Sequence, residues 1–289
     1  MPIRAQEHLR SPLRYPGGKA RVAKLFAEYI PEHTEYREVF AGGGALFFYK
    51  PRVASNWLND LHPGLYALYV ALRDRLEQFA DLCRKQEGDL RSIFGYWAGR
   101  KDLMVATGDE SLVERAVQYF YINRTVWTGR VIYDPTRQSR LYFSNPEGWS
   151  NLEKRLAHLA RISQKLQGVK ITCLPFEHSL GDAKKQTFIY CDPPYMRDSV
   201  CPRTDKLYDK EFPLEAHELL ARLLSKSKAK VMVSYDDCPE TRKLYGSKPW
   251  RIVELQWKYC GRYAMTNENK AAQIKEKKVT GNELLILNY

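Results

Sequence analysis

The tetrapeptide at residues 192–195, Asp-Pro-Pro-Tyr, has the chemical groups needed to hold a planar amino group. It directly follows the apolar segment 188–191, which we predict to be a β-strand. Two consecutive prolines fix both φ angles and remove both N–H donors, so the turn leaves its carbonyl oxygens available. The Asp192 carboxylate and the Pro193 carbonyl would then be adjacent acceptors for an exocyclic amino group, and Tyr195 offers a ring on which a base can stack. An ordinary strand-ending turn uses the same residue types and remains the alternative.

A glycine-rich segment, Phe-Ala-Gly-Gly-Gly-Ala at residues 40–45, lies between a predicted strand and a predicted helix. Glycines at such a junction let a ligand approach the backbone, and the start of the helix can bind a carboxylate. The segment lacks the spacing of a dinucleotide site, and no P-loop lysine follows it. A second predicted strand ends at Asp60, 18 residues after Gly42, which is close to the spacing at which an acidic residue binds ribose hydroxyls. A tight turn followed by a helix start is the alternative interpretation.

A third motif, at residues 12–19, precedes a predicted helix. Its two adjacent glycines would let the backbone wrap around a ligand, and Tyr15 could cover that ligand. Lys19 could reach a carboxylate. Taken alone, this segment is more simply explained as a turn that enters a helix.

These motifs are predicted to lie on the loops of an α/β domain, because strands and helices alternate along the chain. The first strands are expected at 37–40 and 54–58, followed by one long helix from Pro63 through Phe79. In an open α/β sheet, ligands bind at the carboxyl ends of the strands, which is where the tetrapeptide would lie. Later strands are predicted at 169–174, 187–191, 230–234, 251–257 and 283–288. The last two are consecutive, which indicates an antiparallel hairpin at an edge of the sheet.

The α/β pattern is interrupted between residues 87 and 150. A helical pattern spans 110–123, and a stretch rich in Gly, Thr, Arg and Tyr follows at 124–149, with the composition of a hairpin. We therefore predict one domain made of residues 1–86 and 151–289, with a helical and hairpin domain inserted at residues 87–150.

The amino-acid composition favours some classes of function and argues against others. Lys and Arg number 46 against 34 Asp and Glu, giving a net charge of +12 and a pI near 9.3, so a partner with dense negative charge is the first expectation. The six cysteines form no CxxC pair, which argues against a disulfide framework or a zinc site and for a reducing cytosol. The longest apolar run has eight residues and no signal-peptide pattern is present, so we expect a cytoplasmic protein that does not bind membranes.

Together the motifs resemble those of the Dam-type (D12 class) DNA adenine-N6 methyltransferases. The resemblance covers most of the chain, in the order PGGK at 16–19, FAGGGA at 40–45, NDLHPGLYALY at 59–69, INRTVWTG at 122–129 and YCDPPY at 190–195. This co-occurrence is much more specific than any one motif. It implies the α/β, Rossmann-like fold of S-adenosylmethionine-dependent methyltransferases, with a mixed sheet of about seven strands and an inserted target-recognition domain.

The resemblance also implies a role for individual residues. Tyr15 and Lys19 would hold the cofactor, and the acid after the second strand, Asp60, would bind its ribose. Pro175 stands where the family often has an acidic residue near the cofactor adenine, while the next residue would cover the ring. The cofactor-binding set is thus Tyr15, Lys19, Phe40, Ala41, Gly42, Gly44, Asp60, Phe176 and Asp192, and the catalytic set is Asp192, Pro193, Pro194 and Tyr195.

The implied reaction transfers a methyl group from S-adenosylmethionine to N6 of an adenine in a short duplex DNA sequence, and it needs no metal. The N6 lone pair is delocalised into the ring and is a poor nucleophile. Acceptors at Asp192 and Pro193 would draw the amino hydrogens toward a tetrahedral geometry and stabilise the developing positive charge. A base inside a duplex is out of reach, so the target would be flipped out and stacked on Tyr195.

DNA contacts are expected in the insertion. In the family, the aromatic residue two positions before the glycine of this segment enters the duplex, and here that residue is Trp127. Arginines bind phosphates or guanine edges, so the expected DNA-binding set is Arg124, Trp127, Arg130, Arg137 and Arg140. A small aromatic core with solvated arginines is the alternative. We also expect the loop 196–212 to act as a lid and the basic stretch 258–282 to contact phosphate.

Three other functions stay open. Methylation of adenine in RNA uses a similar tetrapeptide, a DNA-binding regulator with a silent site is possible in principle, and methylation of a protein amide fits the +12 charge poorly. The intact tetrapeptide and glycine segment favour the enzyme. The expected partner is duplex DNA, with a cognate restriction endonuclease as a further partner, and the expected state is a monomer.

Overall fold

The computed structural model describes residues 8–14, 19–86, 88–106, 108–126, 129, 131, 143, 145–196, 212–259 and 279–289. Their seven strands are β1 (Glu35–Glu38), β2 (Ser55–Asn59), β3 (Lys170–Thr172), β4 (Thr187–Cys191), β5 (Lys230–Asp236), β6 (Arg251–Tyr259) and β7 (Val279–Leu287). Their helices are α1 (Ala23–Ala27), α2 (Ala45–Tyr49), α3 (Pro63–Asp74), α4 (Leu76–Arg84), α5 (Leu90–Gly99), α6 (Asp102–Val105), α7 (Leu112–Thr125), α8 (Leu152–Leu166), α9 (Phe176–Leu180), α10 (Leu214–Ser225) and α11 (Pro239–Leu244). Short 3₁₀ turns lie at Lys19–Arg21 and Pro146–Trp149.

All seven strands form one mixed sheet in the order β3-β2-β1-β4-β5-β7-β6. Strands β1 to β5 pair in parallel, and β7 runs antiparallel to both of its neighbours. The expected α/β fold with about seven strands and an antiparallel hairpin at the edge is therefore confirmed. Parallel pairing requires crossover connections, which the helices between the strands supply.

The sheet is buried on both faces because its central strands are apolar at successive positions. All five residues of β4 are buried. Successive side chains of a strand point to opposite faces, so Phe188 and Tyr190 join a core with α1, α2, α3, α7 and α8, while Ile189 and Cys191 join a second core with α9 and α10. A strand that is covered on both sides has no polar face, which explains its continuous hydrophobic run.

The strand directions bring the chemical motifs to one edge. The parallel strands end at the same edge, so the segments that follow β1, β2 and β4 lie next to one another. Backbone bonds tie these ends together, from Val39 N to Tyr190 O (3.1 Å) and from Ala41 N to Asn59 O (2.8 Å). Because β7 is antiparallel to β5, its central residue Glu283 lies opposite Asp236, the last residue of β5, at this edge as well.

The prediction of one long helix after Pro63 is wrong. The helix breaks at Arg75, whose φ of −137° and ψ of 33° are not helical, and α3 and α4 lie on either side. Leu72 and Phe79 are both fully buried on either side of the break. One non-helical residue preserves the apolar spacing, so periodicity did not reveal the interruption. The first strand also begins two residues earlier than expected, at Glu35.

The insertion contains more helix than the sequence indicated. Helix α7 confirms the predicted helical pattern, whereas α5 and α6 were not predicted. Of the hairpin expected at 124–149, the described residues include one antiparallel bridge, between Val126 and Phe143. Helices α5 and α7 share a single core with α3, so the domain boundaries at residues 86 and 150 remain a prediction. None of the described helices is long and apolar enough to cross a membrane.

Gly44 is a position at which the chain requires glycine. Its φ is +62°, and an added Cβ would lie 2.8 Å from Cε2 of the buried Phe48 ring. Replacing Gly44 with alanine should lower the free energy of unfolding by about 2 kcal/mol, because left-handed backbone and crowding both oppose a side chain. Urea unfolding measures this change.

The matched control is Gly95→Ala in the exposed part of α5, where an added Cβ would meet no atom within 4 Å. The free energy of unfolding of this variant should be about 0.5 kcal/mol higher than that of the wild type, because alanine is favoured over glycine inside a helix. Equal effects at the two positions would contradict the backbone geometry described for Gly44.

Candidate active site at the carboxyl edge of the sheet

Asp192 lies directly after β4 with its carboxylate held in place. Its Oδ1 accepts a hydrogen bond from Ser234 Oγ on β5 (2.8 Å) and lies 2.8 Å from Lys19 Nζ. The side chain is 22% exposed, so it remains open to a ligand. The following Pro193 is buried and Pro194 is half-buried. The tetrapeptide thus has the position expected at the end of β4, with an ionised partner and a hydroxyl fixing its first side chain.

Lys19 connects three polar groups of the site. Its buried Nζ lies 2.8 Å from Asp192 and 3.2 Å from Glu283 Oε1, and it donates to the Tyr195 hydroxyl at 2.7 Å. The ammonium also lies 4.8 Å from the centroid of the Tyr195 ring. The resemblance placed Lys19 on the cofactor. In the structure its Nζ contacts the tetrapeptide at 192–195 and Glu283 of β7.

Glu283 is a residue of this edge that the sequence analysis missed. It is 2% exposed, and its Oε1 also accepts a hydrogen bond from the Tyr195 hydroxyl. Burial raises the pKa of Glu283 to about 7; the Lys19 charge acts against this rise, and the Asp192 charge adds to it. Its Oε2 has no hydrogen-bond partner among the described residues. An acidic residue beginning an apolar run, Glu-Leu-Leu-Ile-Leu, was the available signal.

The glycine segment is braced by Asp60. Asp60 Oδ2 accepts from Gly42 N (2.8 Å) and Oδ1 accepts from His62 N (2.9 Å). On the other side of the turn, the Tyr69 hydroxyl donates to Gly42 O at 2.7 Å. Burial raises the pKa of Asp60, and the hydrogen bond from the Gly42 N–H acts in the opposite direction. Asp60, which the sequence predicts to bind a ribose, therefore also holds the glycine segment in its conformation.

Asn59, the residue before Asp60, was not predicted to have a role. Its Nδ2 donates to Val39 O (3.1 Å) and to Leu174 O (2.9 Å), and its Oδ1 accepts from Leu174 N (3.1 Å). One buried amide thus joins the loops that follow β1, β2 and β3. A polar residue at the end of an apolar strand was the only signal in the sequence.

Three phenylalanines form an apolar wall at the same edge. The rings of Phe40, Phe176 and Phe212 lie 5.7 Å apart in each of the three pairs. Pro175 is exposed and lies at the N-terminus of α9, so it orients Phe176 but provides no polar side chain. The predicted cofactor residues after β1 and β3 are therefore brought together, with Asp60 as the polar group after β2.

A second buried carboxyl, that of Glu38, is hydrogen-bonded to the helix that follows the glycine segment. Glu38 Oε2, at the end of β1, accepts from the Tyr36 hydroxyl (2.8 Å) and from Phe47 N (3.1 Å) in α2. Burial raises the pKa of Glu38 to about 8.

Among the described residues, no group of three or more His, Cys, Asp or Glu side chains is placed to bind a metal ion.

The insertion is hydrogen-bonded to the N-terminal segment through one residue of α7. Asn123 of α7 accepts from Arg14 N (3.0 Å) and donates to Arg14 O (2.7 Å) and to Gly129 O (2.6 Å). Arg124 follows at the end of α7 and is half-buried. Burial, together with the nearby charges of Arg155 and Arg14, lowers its pKa to about 10.

Several predicted residues and both predicted loops lie outside the described residues. These are Tyr15, Trp127, Arg130, Arg137 and Arg140, most of the expected lid, and most of the basic stretch 258–282. Of the expected DNA-binding set, the structure therefore describes Arg124.

Comparison of the sequence with known proteins relates the chain to a family. A sequence model described as D12 class N6 adenine-specific DNA methyltransferase matches residues 15–260. The chain is 25% identical over 275 residues to the DNA adenine methylase of Haemophilus influenzae, covering 91% of each protein. It is 27% identical over 298 residues to the type II methyltransferase M1.LlaDCHI of Lactococcus lactis subsp. cremoris, covering 98% of this chain and 96% of that protein. It is 26% identical to the DNA N-6-adenine-methyltransferase of Escherichia phage P1, where the match covers 87% of this chain but spans only 33% of the phage protein.

The buried Glu38 should make stability depend on pH. Its pKa is about 8 in the folded state against 4.5 without burial, so between these values the folded state holds a proton that the unfolded state has released. Stability due to this group is complete below the lower value and is lost as pH rises, by up to about 1.4 kcal/mol per pH unit. Glu38→Gln keeps an acceptor for Tyr36 and Phe47 but cannot ionise. Urea unfolding across this pH window measures the free energy of unfolding of both proteins. The value for the variant should rise relative to that of the wild type as pH increases. A difference between the two that does not change with pH would contradict the burial assigned to Glu38.

Proposed function

The chain belongs to the D12 class N6 adenine-specific DNA methyltransferase family, and from that premise we propose that Asp192 and Pro193 bind the amino group of an adenine rotated out of duplex DNA. The observation that carries this proposal is the fixed Asp192 carboxylate, held by Ser234 and Lys19 beside a proline turn. It lies at the same edge as the braced glycine segment.

The methyl donor of this family is S-adenosylmethionine, which supplies a methyl group on a positively charged sulfur. The residues present fit this group. Gly42 and Gly44 have positive φ and let a ligand approach the backbone, while Phe40 and Phe176 offer an apolar surface for the adenosine. Asp60 supplies a carboxylate for the ribose hydroxyls beside them. Ala41 continues the glycine segment, and the family resemblance adds Tyr15 and Lys19 to this set.

The Asp192 carboxylate makes the amino nitrogen reactive through its position. When an amino hydrogen bonds to Asp192 and another bonds to the Pro193 carbonyl, the nitrogen lone pair is drawn out of conjugation with the ring. Positive charge that develops on the nitrogen then lies beside a carboxylate. Alignment and electrostatics account for the chemistry, so no base is required before the attack.

Lys19 contacts one of the two carboxylate oxygens that could accept from the amino group. Its ammonium lies 2.8 Å from Asp192 Oδ1, which is hydrogen-bonding distance for an N–H donor. An incoming amino group therefore competes with Lys19 for this oxygen. Tyr195 offers its ring for stacking the base, and Pro194 fixes the ring relative to Asp192.

We assign recognition of the DNA sequence to the insertion at 87–150. Arg124, Trp127, Arg130, Arg137 and Arg140 are its proposed DNA-binding residues, and the net charge of +12 supports a duplex partner. The proposed chemistry needs no group beyond those of a single chain, and we propose that the enzyme acts as a monomer. Similarity to a type II methyltransferase supports a cognate restriction endonuclease as a further partner.

Asp192→Asn should remove catalysis while preserving the fold. Asparagine keeps the size of the side chain and its bond to Ser234 but loses the charge, so single-turnover methyl transfer to duplex DNA should fall by about 100-fold or more. Transfer of labelled methyl groups measures the rate, and calorimetry should show cofactor affinity close to that of the wild type. The matched control is Asp74→Asn, an exposed residue paired with Arg73, which should retain full activity. Normal turnover by Asp192→Asn would refute the mechanism, and transfer to RNA in preference to duplex DNA would refute the proposed substrate.

A further inference from the structure

Glu283 comes to the active edge from the far end of the chain. It lies on β7, in register with Asp236 of β5, and none of the three motifs contains it. Its carboxylate is 2% exposed. A buried carboxylate is costly unless its oxygens have partners, yet here Oε2 has no hydrogen-bond partner among the described residues. A group retained at such a cost, within the catalytic cluster, requires a reason beyond packing.

The contacts of Glu283 are with two groups that the substrate must disturb. Oε1 lies 3.2 Å from Lys19 Nζ and accepts a hydrogen bond from the Tyr195 hydroxyl. Lys19 is thus shared between Glu283 and Asp192, because its Nζ lies within 3.2 Å of a carboxylate oxygen of each, and it also donates to the Tyr195 hydroxyl. The target amino group also needs Asp192, so an amino group that binds Oδ1 competes with the ammonium for that oxygen, while the ammonium stays in a buried site.

We propose that Glu283 is a positioning residue for methyl transfer, which holds the Lys19 ammonium and the Tyr195 hydroxyl while the amino group of the target adenine binds Asp192. The proposal rests on the function assigned above. Without Glu283, Lys19 has Asp192 as its only carboxylate among the contacts described, and it competes with the substrate for that group. With Glu283 ionised, the ammonium has a second carboxylate and Asp192 is released for the substrate.

The charged and titratable groups that face Glu283 come from several elements. They are Lys19 from the N-terminal segment, Tyr190, Asp192 and Tyr195 from β4 and the turn after it, and Asp236 opposite on β5. Burial raises the pKa of Glu283 to about 7, so this carboxyl changes its charge near neutral pH. The ionised form holds the ammonium more strongly than the protonated form, because a charge-assisted hydrogen bond is stronger than a neutral one. The single-turnover rate should therefore rise as pH increases through about 7 and then reach a plateau.

The test is the pH profile of Glu283→Gln. Glutamine keeps a buried acceptor for Lys19 and Tyr195 but carries no charge. The wild type should show a rise in rate near pH 7, whereas the variant should lack this rise and remain at least about 10-fold below the wild-type plateau, because a hydrogen bond between charged groups is lost. The KM for DNA should increase, because Lys19 then competes for Asp192, while cofactor affinity measured by calorimetry should stay unchanged. Glu283→Asp, which retains the charge, should recover part of the rate and the rise with pH.

The matched control is Glu254→Gln, on the neighbouring strand β6, where the glutamate is exposed and paired with Arg242. It should keep both the plateau and the rise near pH 7. A Glu283→Gln enzyme that retained the wild-type profile would overturn the proposal, as would a loss of rate in which Glu283→Asp recovered nothing.

A second measurement does not depend on catalysis. In the free enzyme, NMR of the labelled Glu283 carboxyl carbon should give a midpoint near pH 7 that moves upward in Lys19→Met, because the lysine charge lowers this pKa. An unchanged midpoint would overturn the coupling whether or not DNA is the substrate. Failure of the wild type to methylate DNA would instead refute the proposed function, so the two failures are distinguishable.

Discussion

The partly buried ion pair between Lys19 and Asp192 is the interaction on which the geometry of the site depends. A charged group taken out of water is stable only with a partner and with hydrogen bonds to its remaining atoms. Asp192 has Lys19 and Ser234 at 2.8 Å each, while Lys19 also contacts Glu283 and Tyr195. The cluster therefore fixes an acceptor for a positively polarised nitrogen before any substrate binds. The lysine ammonium meanwhile occupies that acceptor in the free protein.

The topology of the sheet makes this cluster possible. Parallel strands bring the glycine segment, Asp60 and Asp192 to one edge because they all end there. The reversed direction of β7 adds Glu283, the central residue of that strand, to the same edge. Two other buried polar side chains hold the loops at this edge. Asn59 makes hydrogen bonds that join three loops, and Glu38 accepts a hydrogen bond from the backbone of α2.

Much of the fold and part of the site could be predicted from the sequence. Strand β4 and the turn after it were predicted because an apolar run ends in two prolines, whose backbone preferences are strong. Glu283 was missed because its partners lie 88 and 264 residues away, and only tertiary structure brings them together. The break at Arg75 was missed because one non-helical residue preserves the apolar spacing. Local chemistry is visible in a sequence, whereas contacts across the sheet depend on strand order and register.

The central claim is that the Asp192 carboxylate activates an adenine amino group in DNA. Expression in a host that lacks adenine methylation, followed by modification-sensitive sequencing of the host genome, tests this most directly. The wild type should leave N6-methyladenine at one short sequence, and a parallel strain carrying Asp192→Ala should leave none. A genome free of methyladenine in the presence of folded, cofactor-binding wild-type protein would contradict the account, and so would methylation that persists in the Asp192→Ala strain.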